Sequence, residues 1–449
     1  MMREPPFSLL PVPVPASLKD KRALVLGLGD TGLSVARWIE AHGGAARVAD
    51  TRAAPPRQKD FAGELHTGPF SAALLDGVDL LCISPGLSLL DPLVQLAVKR
   101  SIPVVGDIEL FAWHNRSRVL AITGTNGKTT VTSLTGHLLK NAGFDCEVAG
   151  NIAPPVLQAA LQRKMPPAAW VLELSSYQLE TTWSLRPHAA AMLNLTEDHL
   201  DRYAGIAEYG AAKARIFAGS GVQVLNRDDP RSLAMMQPGR KLITFGLDDG
   251  GDFGVRGDTL ICRGVPMLRI DELQIHGAHN VANALAACAL AGSLGASTSS
   301  LAVGLRSFKG LPHRLERVAS LSGVQWYDDS KGTNVGATVA ALRGLGKRTV
   351  LILGGEGKGQ DFTPLAEPAR ELVSCALLIG RDAPLIEKAL AGVRVEHCAS
   401  LEEAVKRAAL IAKAGEAVLL SPACASFDMF RDYKHRGEAF AAAVRKLSA

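Results

Sequence analysis

AITGTNGKTT, Ala121–Thr130, decides how this chain is read, because an apolar run, VLAITG, leads into it and a helix-forming run, TTVTSLTGHLLKNAG, leads out. A glycine-bearing turn between a strand and a helix leaves backbone N–H groups without partners, and those of Gly124 to Lys128 can surround phosphate oxygens. Thr123, Gly124, Thr125, Asn126, Gly127, Lys128, Thr129 and Thr130 thus form a candidate ATP loop. Lys128 can neutralise the β and γ phosphates, and the hydroxyl of Thr129 can ligate Mg²⁺. The loop departs from G-x-x-x-x-G-K-[ST] at one place, since Ile122 stands where the first glycine belongs. A plain strand-to-helix turn is the alternative, and GKTT in this context favours the nucleotide.

Outward from this loop the chain alternates short apolar runs with helical ones. Upstream, ALVLGLG, ARVAD, LLCIS and PVVGD are separated by segments such as LSVARWIEAHG, and HNRSR is a polar break. Downstream, WVLELS, AAAMLNL and VQVLN read as buried parallel strands. GLPHR, from Gly310 to Arg314, reads as a linker, after which RTVLILGG, CALLIG and EAVLLSP repeat the pattern. This is the sequence form of α/β architecture. The 449 residues exceed one ordinary core, domains being typically ~100 to 200 residues long. Three units are expected: residues 1–113 and 313–449 as Rossmann-like domains, and 114–312 as a P-loop ATPase-like parallel sheet.

With 47% hydrophobic and 21% charged residues, the chain is neither disordered nor collagenous. A net charge of +5 without any lysine or arginine run does not announce nucleic-acid binding and suits small polyanions equally well. The seven cysteines, at 82, 146, 262, 288, 375, 398 and 424, include no C-x-x-C pair, which reads as reduced thiols in a cytosol. The segment MMREPPFSLLPVPVPASLKD carries five prolines and Glu4, so no signal-peptide core is expected there, only a flexible lead-in. The run from Val281 to Ala296 is shorter than the ~20 residues of a membrane span and reads as a buried helix. A cytoplasmic protein with no membrane insertion is expected.

A second glycine turn, GLGDTG at Gly27–Gly32, follows the run RALVL, and Asp50 ends the next apolar run. Alone this pattern says NAD. Its physical content is only a diphosphate near a helix N-terminus and an acidic group near a sugar or base, which a UDP-sugar would satisfy too. Gly29, Asp30 and Thr31 are then diphosphate-facing residues, with a packing turn as the alternative. Ser84, Pro85 and Gly86, at a later strand end, could add donors or form a bare turn.

AITGTNGKTT, ELSSYQLE, NLTEDHLDRY, HNVANALAA, LPHRLE, DDSKGTN, GGEGKGQDF and SPACASFD, in this order, resemble the Mur ligase family, and the likeness runs from about Arg22 to Gly437. GLGDTGLS, VADTR, SPG and GDIELF point within it to a member acting on UDP-N-acetylmuramoyl-L-alanine and D-glutamate. The resemblance implies an ATP-dependent amide-bond ligase of peptidoglycan precursor synthesis that needs two Mg²⁺ ions, and a monomer is expected.

The resemblance also implies residue roles. Glu173 and Thr129 hold one magnesium and His199 a second; Lys213 matches a lysine carbamylated in the family and would then sit beside metal. Chemistry alone suggests a hard oxygen ligand only at Glu173, while His199 would pass as structural and Lys213 as a solvated helix lysine. Asn283 resembles an adenine contact, although it or Asn280 could be a helix N-cap. Arg314 and Lys331 are implied to reach phosphate and Asp329 the ribose. Thr333, Lys358, Ser426 and Phe427 resemble the D-glutamate pocket. Asn151, Ser175 and Gln178 look like donors to the carboxylate-bearing substrate, and Asp50 with Thr51 to the uracil. Tyr177 replaces a phenylalanine common in the family, a change expected to be neutral. The rivals are another Mur-type or folylpolyglutamate-type ligase, an NAD-dependent oxidoreductase, and an ATP-driven protein without ligase chemistry.

Overall fold

Every alternation of apolar and helical runs becomes a strand followed by a helix laid on a sheet, and the described residues build three such sheets. The computed structural model describes residues 11–199 and 202–447. Half of the lead-in, and Leu200 and Asp201 of TEDHLDRY, lie outside the described residues.

In the first sheet Arg22–Leu26 is central, with Ala45–Asp50 and Glu64–Thr67 on one side and Leu80–Ile83 and Val104–Val105 on the other, all parallel. Chain order therefore reverses beside Arg22–Leu26, and a crevice opens at the carboxyl ends of that strand and Leu80–Ile83. GLGDTG and SPG both stand there.

The second sheet has nine strands, and Arg118–Thr123 lies between Ala169–Glu173 and Ala189–Met192, again at a reversal of order. It is not purely parallel, as the sequence had suggested. Thr259–Cys262 and Val265–Arg269 extend it antiparallel, because turns at Gly257 (φ 60°) and Gly264 (φ 78°) return the chain too soon for a helical crossover. The expected small-residue helix runs from Ala278 to Ser293 and is buried over most of its length.

The third sheet holds five parallel strands, Val324–Asp328, Ala417–Leu420, Thr349–Gly354, Val373–Ile379 and Val395–His397, plus an antiparallel edge, Glu316–Leu321. DDSKGTN, GGEGKG and SPACASFD each leave the carboxyl end of one of its strands.

The first and second layers are joined through a buried carboxylate. Glu109, on the helix Asp107–His114, is fully buried and accepts four hydrogen bonds: from Trp113 Nε1 (2.9 Å), Ser184 Oγ (2.6 Å), and the backbone N–H groups of Trp183 (2.7 Å) and Ser184 (2.8 Å). Removing such an acceptor strands buried donors at ~1 to 3 kcal/mol each. Glu109→Ala should therefore lose about 3 to 5 kcal/mol, seen as a lower urea midpoint, and an unchanged midpoint would deny the joint this role.

Candidate active site

Gly127 is the N-cap of the helix Lys128–Asn141 and takes φ 83°, a conformation that strains any side chain; an added Cβ there would also meet Asn283 Oδ1 at 2.4 Å. The turn consumes part of its own cradle. The N–H groups of Thr125 and Asn126 donate to Asn194, to its carbonyl (2.9 Å) and its Oδ1 (2.8 Å), so they do not belong to the phosphate cradle read from the sequence. The N–H groups at the start of the helix carry that part. Thr123 is fully buried and its hydroxyl donates to Leu174 O, whereas Thr125, Asn126, Lys128 and Thr129 line a cleft of about 1110 Å³. Lys128 Nζ donates to the carbonyls of Gly124 and Thr125, both at 2.9 Å, and burial pulls its pKa down against the pull of Glu173 and Asp198.

Glu173 ends the strand beside the loop and is 2% exposed. Its Oε1 accepts from Asn151 Nδ2 at 3.0 Å, and its Oε2 has no partner among the described residues. An unpaired buried carboxylate oxygen in a cleft that Thr129 also lines fits a hard cation such as Mg²⁺. Asn151 thus orients Glu173 here. Lys213 is not a solvated lysine. It is 1% exposed, donates to Gly124 O at 2.8 Å, and is held well below the usual lysine range by burial and by Lys128. A neutral buried amine is the form that can react with CO₂. His199 lines the same cleft with φ 55°.

The opposite wall comes from the third unit. Arg314 and Lys331 line both the cleft and a neighbouring cavity of about 320 Å³ that Asn283, Asp329 and Thr130 also line. Burial lowers the pKa of Arg314, brings Lys331 down to about 8, and raises Asp329 to about 7. Neither Asn280 nor Asn283 is a helix cap, because Gly277 holds that position; Asn283 Nδ2 instead donates to Asn280 Oδ1. Sequence reasoning missed Asn334, which caps the helix Val335–Leu345 and reaches Asn126 Oδ1 (3.2 Å) and Asp198 Oδ2 (3.4 Å) across the cleft. Thr333 and Lys358 line the cleft; Ser426, buried in its turn, and Phe427, 67% exposed, do not.

In the first unit a Cβ on Gly32 would stand 1.8 Å from Gly27 O, so that glycine permits helix–strand packing, whereas one on Gly29 or Gly86 would meet nothing within 4 Å. Those two open faces border the crevice. Ser84 Oγ donates to Gly27 O at 3.3 Å, Pro85 stands beside it half-buried, and Asp30 is tied to Arg57 at 2.5 Å. Asp50 is buried and committed: it accepts from Leu28 N (2.7 Å) and from the guanidinium of Arg52, which holds its carboxyl down at about 2. That leaves it no free oxygen of the kind a dinucleotide's ribose diol needs, while Thr51 beside it is exposed. Ser175 and Gln178 form a capping box, and Gln178 Nε2 also donates to Asp107 at 3.0 Å, so their polar groups are engaged within the protein.

Family models match most of the chain: "Mur ligase MurD-like, N-terminal domain" over residues 21–106, "Mur ligase middle domain" over 122–291, and "Mur ligase, glutamate ligase domain" over 313–424. Among curated proteins it is 53% identical to the UDP-N-acetylmuramoylalanine--D-glutamate ligase of Nitrosospira multiformis, over 96% of this chain and 97% of that one. It is 52% identical to the protein of the same name from Thiobacillus denitrificans, over 96% and 98%. Among solved structures, the UDP-N-acetylmuramate-alanine ligase of Thermotoga maritima superposes with a TM-score of 0.62 at 20% identity, covering 95% of this chain and 99% of that one. At that identity the likeness speaks for the fold alone.

Proposed function

The chain belongs to the Mur ligase family, and from that premise we propose that it joins D-glutamate to UDP-N-acetylmuramoyl-L-alanine at the expense of ATP. One observation carries the reading. Lys128, at a helix N-terminus, shares a cleft with Glu173, Arg314 and Lys331, so groups suited to a triphosphate converge from two units on one space.

In this reading the alanyl carboxylate oxygen attacks the γ phosphorus as the bond to the bridging oxygen breaks, giving an acyl phosphate and ADP. The amine of D-glutamate then adds to the acyl carbon, loses a proton, and phosphate leaves as the amide forms. Two anions must approach in the first step. Lys128 and the N–H groups opening its helix face the charge on the phosphates, with Arg314 and Lys331 opposite. Asn283 and Asp329 line the cavity proposed for adenine and ribose. Magnesium, held by Glu173 and Thr129 with a second ion at His199 and a carbamylated Lys213, would supply Lewis-acid charge compensation. The crevice of residues 1–113 takes the UDP substrate, residues 114–312 ATP, and residues 313–449 D-glutamate, where Thr333 and Lys358 face the cleft. No helix of the described residues is long and apolar enough to cross a membrane, and a cytoplasmic monomer is part of the proposal.

Phosphate release from ATP, measured with UDP-N-acetylmuramoyl-L-alanine against a panel of D- and L-amino acids, tests the reading. Release that rises only with D-glutamate is expected. Release indifferent to the amino acid, or selective for another one, contradicts it.

A further inference from the structure

Gln360, at the end of the turn GGEGKGQ, stands half-buried on the wall of the cleft. Its carboxamide reaches three separate loops. Oε1 accepts from Val335 N at 2.9 Å, and Nε2 donates to Gly357 O at 3.0 Å and to Ala423 O at 2.7 Å. A backbone N–H can only donate and a carbonyl can only accept, so the amide stands one way round, with a partner for each of its two hydrogens. The backbone N–H of Gln360 also donates to Gly357 O, at 3.2 Å.

Each of these partners sits in irregular backbone. Val335 opens the helix Val335–Leu345, so its N–H has no acceptor within the helix. Lys358 (φ 53°), inside the turn that Gly357 O closes, and Ala423 (φ 56°) both lie in the left-handed region, which disfavours a side chain. The residues expected to meet the incoming amino acid stand next to the same three partners: Thr333 two positions before Val335, Lys358 one after Gly357, and Ser426 three after Ala423. We propose that Gln360 is a positioning residue: by tying these loops together it fixes the ammonium of Lys358 relative to Thr333 in the amino-acid pocket. With the turn released, Lys358 would have to be ordered again each time a carboxylate binds, which weakens binding. Only the kinetic consequence rests on the ligase reading; the tethering of the loops does not.

The test uses the full chain and two variants. Gln360→Met keeps the length of the side chain and loses all of its hydrogen bonds, whereas Gln360→Glu keeps an acceptor for Val335 and has no hydrogen to give either carbonyl. In protein labelled with ¹⁵N-valine, the Val335 amide being assigned by its loss in Val335→Ile, hydrogen exchange should be about 10-fold faster in Gln360→Met and unchanged in Gln360→Glu. Trypsin cleavage after Lys358, which is exposed, should be about 10-fold faster in both variants. The KM for D-glutamate should rise about 10-fold in Gln360→Met, with the KM for UDP-N-acetylmuramoyl-L-alanine unmoved, a split that general loosening of the fold would not give. A wild-type Val335 amide that exchanges as fast as an unfolded chain overturns the proposal without any variant. So does a Gln360→Met protein with unchanged exchange and cleavage, or with an unmoved KM for D-glutamate. A wild type that forms no product would overturn the ligase reading instead, leaving exchange and cleavage to decide this one.

Discussion

Lys128→Ala should lower kcat by a factor on the order of 10² or more while the protein stays folded. The ammonium is held by two backbone carbonyls, those of Gly124 and Thr125, and not by an ion pair among the described residues. Burial lowers its pKa, and Glu173 and Asp198 oppose that shift. A cation there acts on phosphate through a low local dielectric and needs little reorganisation when the γ phosphoryl moves, which makes its loss costly. The fold does not depend on it, because the helix Lys128–Asn141 is anchored by buried residues such as Val131, Leu134 and Leu138. Single-turnover measurement of ADP formation, with circular dichroism as the folding control, checks this. Unchanged turnover would remove Lys128 from the chemistry.

Glu173→Gln should also reduce kcat by about 10² or more, and it should carry a pH signature that a packing defect would not. The amide can keep the bond with Asn151, so shape is preserved and only the charge at the unpaired Oε2 is lost. The Mg²⁺ concentration for half-maximal rate should rise. Lys331 supplies the second readout. Burial brings its pKa down to about 8, and Glu173 is among the charges holding it up. Without that carboxylate the amine loses its proton at lower pH, so the alkaline limb of kcat/KM should move towards neutrality. A variant with the wild-type magnesium requirement and an unmoved alkaline limb would contradict the account of this carboxylate.

What the sequence disclosed and what it hid follow from the range of the interactions. The strand–turn–helix around Gly127 is local: one glycine in a left-handed conformation and the lysine after it lie in adjacent positions, so the residue string displays them. The small-residue helix and the glycine turn at Gly27–Gly32 were legible for the same reason. Lys213 was not, because nothing in EYGAAKARIF says that the side chain turns inward under Gly124, 89 positions earlier. Asn334 and Asp198 meet across 136 positions, and only the docking of the third sheet against the second brings them together. The loss of two N–H groups of the turn to Asn194 was equally hidden, since a motif names the donors and not their competitors. The antiparallel extension of the second sheet escaped because its strands are short and, as in Val265–Arg269, mostly exposed and interrupted by a proline, Pro266, that argues against a strand.

The central claim is that the terminal phosphoryl of ATP passes to a carboxylate before any amide forms. Substrate carrying ¹⁸O in its alanyl carboxylate tests this most directly, read by mass spectrometry of the phosphate released with D-glutamate. The account predicts one ¹⁸O in each phosphate formed, because the carboxylate oxygen that attacks phosphorus leaves with it. Phosphate free of ¹⁸O alongside amide product would contradict it.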